Sequence, residues 1–176
     1  KSTAQALFII RRLQDIAEES GSALVLLFLD WEKAFDKVDQ VELIKAIDRL
    51  NVPTKISNVL ASFYVCPQFK IKDCCGKSGY RKQRTGIRQG CPLSPYLFIL
   101  LMTIMFHDIH DKLDNEIKDG KLEHFNYHEL LYADDTLIIG KRGNEINKIL
   151  KEVESESAIY NMKLNKGKCN HIDMNC

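Results

Sequence analysis

An α+β fold, with helices backing one antiparallel sheet, is what this sequence predicts, and three observations lead there. Residues 23–29 form a continuous apolar run of strand length, the pattern of a central buried strand. Residues 129–132 and 136–140 are two more short apolar stretches, turning on Ala133-Asp134-Asp135. The longer segments around them repeat their apolar residues at helical spacing. A chain of 176 residues, 45% of them hydrophobic, amounts to one domain able to bury a sizeable core.

Each element follows from local signals. Ala6, Leu7, Ile10, Leu13, Ile16 and Ala17 share a helical stripe that Ser20-Gly21 ends. Asp39 can cap a helix running to about residue 50, and Pro53-Thr54 opens another to about residue 64. Residues 68–73 and 80–85 flank Gly76-Lys-Ser-Gly79, which predicts a hairpin turning on those glycines. Ser94 as N-cap and Pro95 in the first turn begin a long buried helix over 95–113. Its apolar stretch, 96–106, has 11 residues, too short to span a bilayer. Residues 114–127 are polar and carry no clear element. An amphipathic helix over 144–160 turns Ile146, Ile149, Leu150, Val153 and Ile159 inward, and short strands at 163–164 and 169–173 follow. No internal repeat or low-complexity segment interrupts this order.

Charge is informative through its distribution. Lys and Arg number 25 against 24 acidic residues, so the net charge of +1 selects no partner. Between residues 70 and 88, however, Lys70, Lys72, Lys77, Arg81, Lys82, Arg84 and Arg88 face a single acid, Asp73. Lys163, Lys166 and Lys168 form a second cluster. Such runs serve as solvated surface or as a track for a polyanion. The six cysteines contain no C-x-x-C pair and read as reduced thiols of an intracellular protein, nuclear or cytoplasmic. His107 and His110, like His124 and His128, have helical metal-binding spacing, but neither pair has an evident third ligand, so no zinc site is expected.

Three aspartates carry the chemistry. Asp30 ends the first apolar run, and Asp134 and Asp135 sit between the later two. Carboxylates at strand ends are poorly hydrated and repel one another, a conflict that divalent cations resolve. Two Mg²⁺ ions about 3.5–4 Å apart are what in-line phosphoryl transfer uses, so the pattern reads as a metal-dependent enzyme acting on phosphates. The alternative for Asp134-Asp135 is ordinary turn chemistry, weakened by the apolar strands on both sides. In Arg84-Thr-Gly-Ile-Arg-Gln-Gly-Cys-Pro-Leu-Ser-Pro95, Gly86 and Gly90 permit close backbone approach to a ligand and Gln89 offers a bifunctional amide. Phe35 reads equally as a substrate wall or a core aromatic, and Lys168 as a proton donor or a surface lysine.

Taken together and in order, these segments resemble the reverse transcriptase family, most closely its non-LTR, LINE-like retrotransposon branch. Phe28-Leu-Asp-Trp-Glu-Lys-Ala-Phe-Asp-Lys-Val-Asp39 is similar to the first palm motif, Gly86-Ile-Arg-Gln-Gly-Cys-Pro-Leu-Ser-Pro95 to the second, Tyr132-Ala-Asp-Asp135 to the third and Leu164-Asn-Lys-Gly-Lys168 to the fourth. The resemblance implies a polymerase palm with part of the fingers: residues 1–20 and 51–85 fingers-side, 22–50 and 86–176 palm. It implies two catalytic Mg²⁺ ions, with Mn²⁺ as a substitute, held by Asp30, Asp134, Asp135 and the backbone carbonyl of Trp31. Phe35 would be the steric gate against a 2′-hydroxyl, and Arg88, Gln89 and Gly90 would shape the nucleotide pocket. Lys168 would be the general acid for pyrophosphate, and Tyr132, Arg81, Lys82 and Arg84 would meet nucleic acid. The implied reaction is addition of dNTPs to a DNA primer on an RNA template, with no membrane partner.

The resemblance also implies finger strands before Lys1 and a thumb after Cys176, so the 176 residues alone are expected to be weakly active or inactive. A group II intron-type enzyme shares the Tyr-Ala-Asp-Asp turn, but the wording around Trp31-Glu-Lys-Ala-Phe35 and Gly86–Pro95 favours the retrotransposon branch. An RNA-templated RNA polymerase is disfavoured because Phe35 would obstruct a ribose 2′-hydroxyl. The alternative from another class, a non-catalytic nucleic-acid-binding relic, would be expected to lose one metal carboxylate, and all three are present.

Overall fold

The computed structural model describes residues 2–113 and 128–175. Its elements are α1 (Thr3–Ser20), β1 (Leu24–Leu29), α2 (Ala34–Lys37), α3 (Gln40–Arg49), α4 (Thr54–Ser62), β2 (Gln68–Phe69), β3 (Lys72–Asp73), β4 (Gly76–Lys77), β5 (Arg81–Lys82), α5 (Ser94–Lys112), β6 (Glu129–Tyr132), β7 (Asp135–Gly140), α6 (Gly143–Ile159) and β8 (Asn170–Met174). They divide into two compact units. The first holds residues 1–32, 105–158 and 163–176, and the second holds 33–104 and 159–162. The polar stretch 114–127 and His124 lie outside the described residues.

The first unit is built on a four-stranded antiparallel sheet of order β6-β7-β1-β8. The apolar run Leu24–Leu29 takes an interior position, as continuous hydrophobicity demands. Leu13 and Ala17 of α1 pack with Leu24 and Leu26 of β1 and with Leu137 and Ile139 of β7 in one buried cluster. Gly21, in the left-handed conformation at φ 64, ends α1. Ile146, Ile149 and Val153 of α6 are buried as the helical stripe requires. Ile159 departs from that expectation, being 52% exposed. The buried stripe of the last turns runs instead through Glu156 and Ser157, and Glu156 is accommodated by an ion pair with Lys112.

In the second unit, Asp39 caps α3 by accepting from the amides of Val41 (2.8 Å) and Glu42 (3.1 Å). Two expectations are corrected here. The hairpin turns on Cys74-Cys75 rather than on Gly76–Gly79, because β3 pairs with β4 in the register Asp73↔Gly76 inside the outer pair β2–β5. The Asp73 carboxylate accepts from the Cys75 amide at 2.9 Å and closes the turn locally. Ser94 is the first helical residue of α5, not its cap: Leu97 N–H donates to Leu93 O, while the Ser94 hydroxyl donates to Arg88 O at 2.6 Å. Among the described residues, no helix is long and apolar enough to cross a membrane.

Candidate active site

In the first unit, Leu29 pairs with Thr136, so one more step of the same antiparallel register sets Asp30 opposite Asp135. Tyr132 pairs with Asp135, which leaves Ala133 and Asp134 as the hairpin's two-residue loop. Asp135 is therefore the first residue of β7 and not part of the turn. Ala133 takes φ 55, the left-handed backbone such loops need. It costs a residue with a Cβ about 1–2 kcal/mol. The Asp135 carboxyl is pushed above the usual range by its partial burial, then by the charges of Asp134 and Asp30. The fold thus brings Asp30 to an adjacent pair of carboxylates that begins 104 positions further along the chain.

On the other side of Asp30, Phe28 pairs with Asn170 but Trp31 bridges Leu164. The second segment therefore has more residues than β1 can pair, and 165–169 loop out. Lys168 N–H and Cys169 N–H both donate to Asn165 O, and Asn165 N–H donates to Asp30 O at 2.8 Å. This loop sets Lys168 Nζ 4.0 Å from Asp30 Oδ2. Both side chains meet solvent, so the pair adds little stability and the ammonium remains accessible. The neighbouring Lys166 is paired with Glu154 at 2.7 Å.

Trp31 is buried, and its ring N–H donates to the buried Thr136 hydroxyl at 3.1 Å. That bond ties the residue after Asp30 to the residue after Asp135. The two backbone bonds flanking Trp31 use Asp30 O and Glu32 N–H, so its own carbonyl takes part in neither. The Tyr132 hydroxyl lies 3.1 Å from Thr3 Oγ1 of α1. A cavity of about 270 Å³ beneath the hairpin is lined by Thr3, Leu7, Phe28, Leu130, Tyr132 and Asp135 among others.

Among the described residues, no three His, Cys, Asp or Glu side chains stand close enough to enclose a metal ion. The chemistry of the donor set still fits a hard divalent cation. It consists of carboxylate oxygens, and the burial and neighbouring charges that raise Asp135 are what such an ion would offset. His110 belongs elsewhere: it pairs with Glu129 at 2.9 Å and meets His128 edge to face.

In the second unit, residues 85–89 are strapped to residues 35–40. Gly86 N–H donates to Val38 O and Ile87 N–H to Phe35 O, both at 2.7 Å. Thr85 Oγ1 donates to Asp36 O at 3.1 Å, and Gln40 Nε2 donates to Gly86 O at 2.9 Å. A Cβ on Gly86, whose φ is +89, would stand 2.7 Å from Asp36 O, so only glycine fits. Phe35 is half-buried and stacked on Phe98, ring centroids 4.6 Å apart. Arg88, Gln89 and Gly90 are exposed, and so are Arg81, Lys82 and Arg84. Sequence reasoning misses Thr136, Gln40, Asp36 and Asn165. Each acts through a hydrogen bond to a distant segment, which no local pattern marks.

A four-stranded antiparallel sheet with aspartates at adjoining strand ends, backed by helices, defines the palm class of nucleic-acid polymerases. The family model "Reverse transcriptase (RNA-dependent DNA polymerase)" matches residues 1–175, and the chain belongs to that family. It is 26% identical over 164 residues to the Transposon TX1 uncharacterized 149 kDa protein of Xenopus laevis, covering 92% of this chain and 12% of that protein. It is 23% identical over 149 residues to the Retrovirus-related Pol polyprotein from type-1 retrotransposable element R2 of Nasonia vitripennis, covering 85% of this chain and 14% of that one. These two relatives support the non-LTR branch read from the motifs.

Among solved structures, truncated apo telomerase from Candida tropicalis superposes with a TM-score of 0.73 at 16% identity, over 100% of this chain and 36% of that one. Telomerase from Candida tropicalis in complex with a TWJ fragment of telomeric RNA gives 0.74 at 17% identity, over 98% and 30%. That likeness is one of fold. Members of the family generally use divalent metal ions.

Proposed function

We propose that this chain is the palm, with part of the fingers, of an RNA-directed DNA polymerase from a non-LTR retrotransposon-like element. The observation that carries the reading is the meeting of Asp30 with the Asp134–Asp135 pair at neighbouring strand ends, where burial and the charges of Asp134 and Asp30 raise the Asp135 carboxyl, in a chain of this family. Residues 22–50 and 86–176 are assigned to the palm, and 51–85 and 1–20 to the fingers side, the latter helix being seated on the sheet through Leu13 and Ala17.

In this reading Asp30, Asp134 and Asp135 hold two Mg²⁺ ions, with the Trp31 carbonyl as a further oxygen and Mn²⁺ as a substitute. Bound there, the ions would lower the pKa of the primer 3′-hydroxyl and stabilise departing pyrophosphate. Lys168, beside Asp30, would give a proton to that leaving group. Phe35, braced by Phe98, would refuse a 2′-hydroxyl, and Arg88, Gln89 and Gly90 would shape the nucleotide pocket. Tyr132, Arg81, Lys82 and Arg84 would contact an RNA template and DNA primer, with an affinity that falls as salt rises.

Primer extension on an RNA template with dNTPs and Mg²⁺, using the full-length natural protein that carries this sequence, is the test. Extension should fall by about a thousandfold or more in Asp135→Asn, as expected when a principal electrostatic element of a site is removed. Salt-sensitive template binding with no extension by the wild type would favour a non-catalytic relic instead.

A further inference from the structure

We propose that Asp36 is a positioning residue for Gln89, orienting its carboxamide so that it offers a hydrogen-bond acceptor to the incoming nucleotide. The inference rests on the polymerase reading and goes beyond it, because Asp36 is assigned no part in metal binding or in the pocket.

Gln89 Nε2 donates to Asp36 Oδ1 at 3.1 Å. An ionised carboxylate only accepts hydrogen bonds, whereas a carboxamide has a donor and an acceptor end. Asp36 therefore selects one of the two amide orientations, with the NH₂ turned toward the carboxylate and Oε1 away from it. The selection follows from chemistry and does not depend on telling nitrogen from oxygen. Without that partner, an exposed glutamine would sample several rotamers and both amide faces.

The backbone around the pair is built to hold it. Asp36 O accepts from Thr85 Oγ1, and the flanking carbonyls of Phe35 and Val38 accept from Ile87 and Gly86. Gly86 lies so close to Asp36 that no side chain can come between them. Gln40 fixes Gly86 O from the other side. Residues 85–87 are thus set on residues 35–38 by backbone, and Gln89 follows two residues later with its amide in reach of the carboxylate. The carboxylate is the one part of this arrangement that reads the orientation of the glutamine. The backbone bonds would persist without it.

The test compares wild type, Asp36→Asn, Asp36→Leu, Gln89→Ala and the Asp36→Leu/Gln89→Ala double variant in the full-length protein, by single-nucleotide insertion. Asp36→Leu should raise the KM for the correct dNTP about tenfold, the size of one lost charge-assisted hydrogen bond, with kcat changed less than about threefold. Asp36→Asn keeps an acceptor oxygen but adds a donor, so it no longer selects one amide orientation and should recover only part of that loss. In the Gln89→Ala background, Asp36→Leu should add less than about twofold, because the residue through which it acts is gone. An undiminished effect in that background would overturn the proposal, since it would mean a merely structural role.

A second readout needs no activity. The Gln89 side-chain NH₂ signals, assigned by their loss in Gln89→Ala, should shift and exchange faster with solvent in Asp36→Leu. Unchanged signals would also overturn the link. Failure of the wild type to extend a primer would count against the polymerase reading alone, with the amide signals still deciding for or against Asp36.

Discussion

Asp30 and Asp135 face each other one step beyond the Leu29–Thr136 pair, at the ends of strands β1 and β7. Trp31 and Thr136, each the next residue in its own chain segment, are joined by a buried hydrogen bond of 3.1 Å. The carboxylates are therefore held together by a neighbouring contact that does not use them. This separation lets a site of mutually repelling charges persist, because the sheet and the Trp31–Thr136 bond offset the repulsion.

The repulsion has a pH signature. Asp135 has a raised folded-state pKa, caused by burial and by Asp134 and Asp30. A carboxyl raised above its unfolded value binds its proton more readily when folded, so it favours folding at low pH, and that advantage is lost as pH rises through the folded value. At neutral pH without divalent ions, Asp135→Asn should melt higher than wild type, by about one or two degrees for so exposed a group. The gap should close as pH falls below the ordinary carboxylate range. Added Mn²⁺ should raise the melting temperature of wild type more than that of the variant. Calorimetry at the two pH values with and without Mn²⁺ measures all three, and a variant that melts lower at neutral pH would contradict the account.

Thr136→Val keeps the shape of the side chain but leaves the buried Trp31 N–H without its acceptor. The expected cost is about 1–3 kcal/mol, read from urea unfolding at an unchanged m-value. A loss under about 0.5 kcal/mol would show that the contact is not a structural tie.

Gly86→Ala forces a Cβ to 2.7 Å from Asp36 O and does so at φ +89. Backbone must move, so stability should drop by about 1–3 kcal/mol. Gly90 is also at positive φ, but a Cβ there would meet nothing within 4 Å. It should tolerate alanine better, at about 1 kcal/mol. Comparable losses at the two glycines would place the cost in the backbone angle rather than in the strap.

Phe35→Val shortens the ring proposed to exclude a 2′-hydroxyl and removes its stack on Phe98. The preference for dNTP over rNTP, taken as the ratio of kcat/KM values, should fall by about one to two orders of magnitude. A variant that loses activity on both substrates while keeping the ratio would make Phe35 a core residue.

Much of the fold is legible in local pattern. The helical stripe of α1 with its Gly21 stop, the Asp39 cap and the interior strand Leu24–Leu29 all follow from spacing and end signals. The inner hairpin turn is not legible in the same way, because Gly76 and Gly79 carry the stronger turn signal, whereas an Asp73 side-chain bond makes the turn two residues earlier. Ser94 has the sequence of a cap and instead ties α5 to Arg88. Ile159 has the spacing for burial but lies in the last turn of α6, where the buried stripe has moved to Glu156 and Ser157.

The sequence by itself determined the chemistry. Residue types such as Asp30, Asp134, Asp135, Phe35 and Gln89 are covalent facts, and their order along the chain carries the family's motifs. Tertiary structure alone decided which of them meet. The register of β1 against β7 puts Asp30 across from Asp135, an unpaired loop brings Lys168 to Asp30, and a glycine too crowded for any side chain lets Asp36 reach Gln89. The physical reason is range. Propensity and capping act over a few residues, whereas a register or a close backbone approach depends on segments dozens of positions apart.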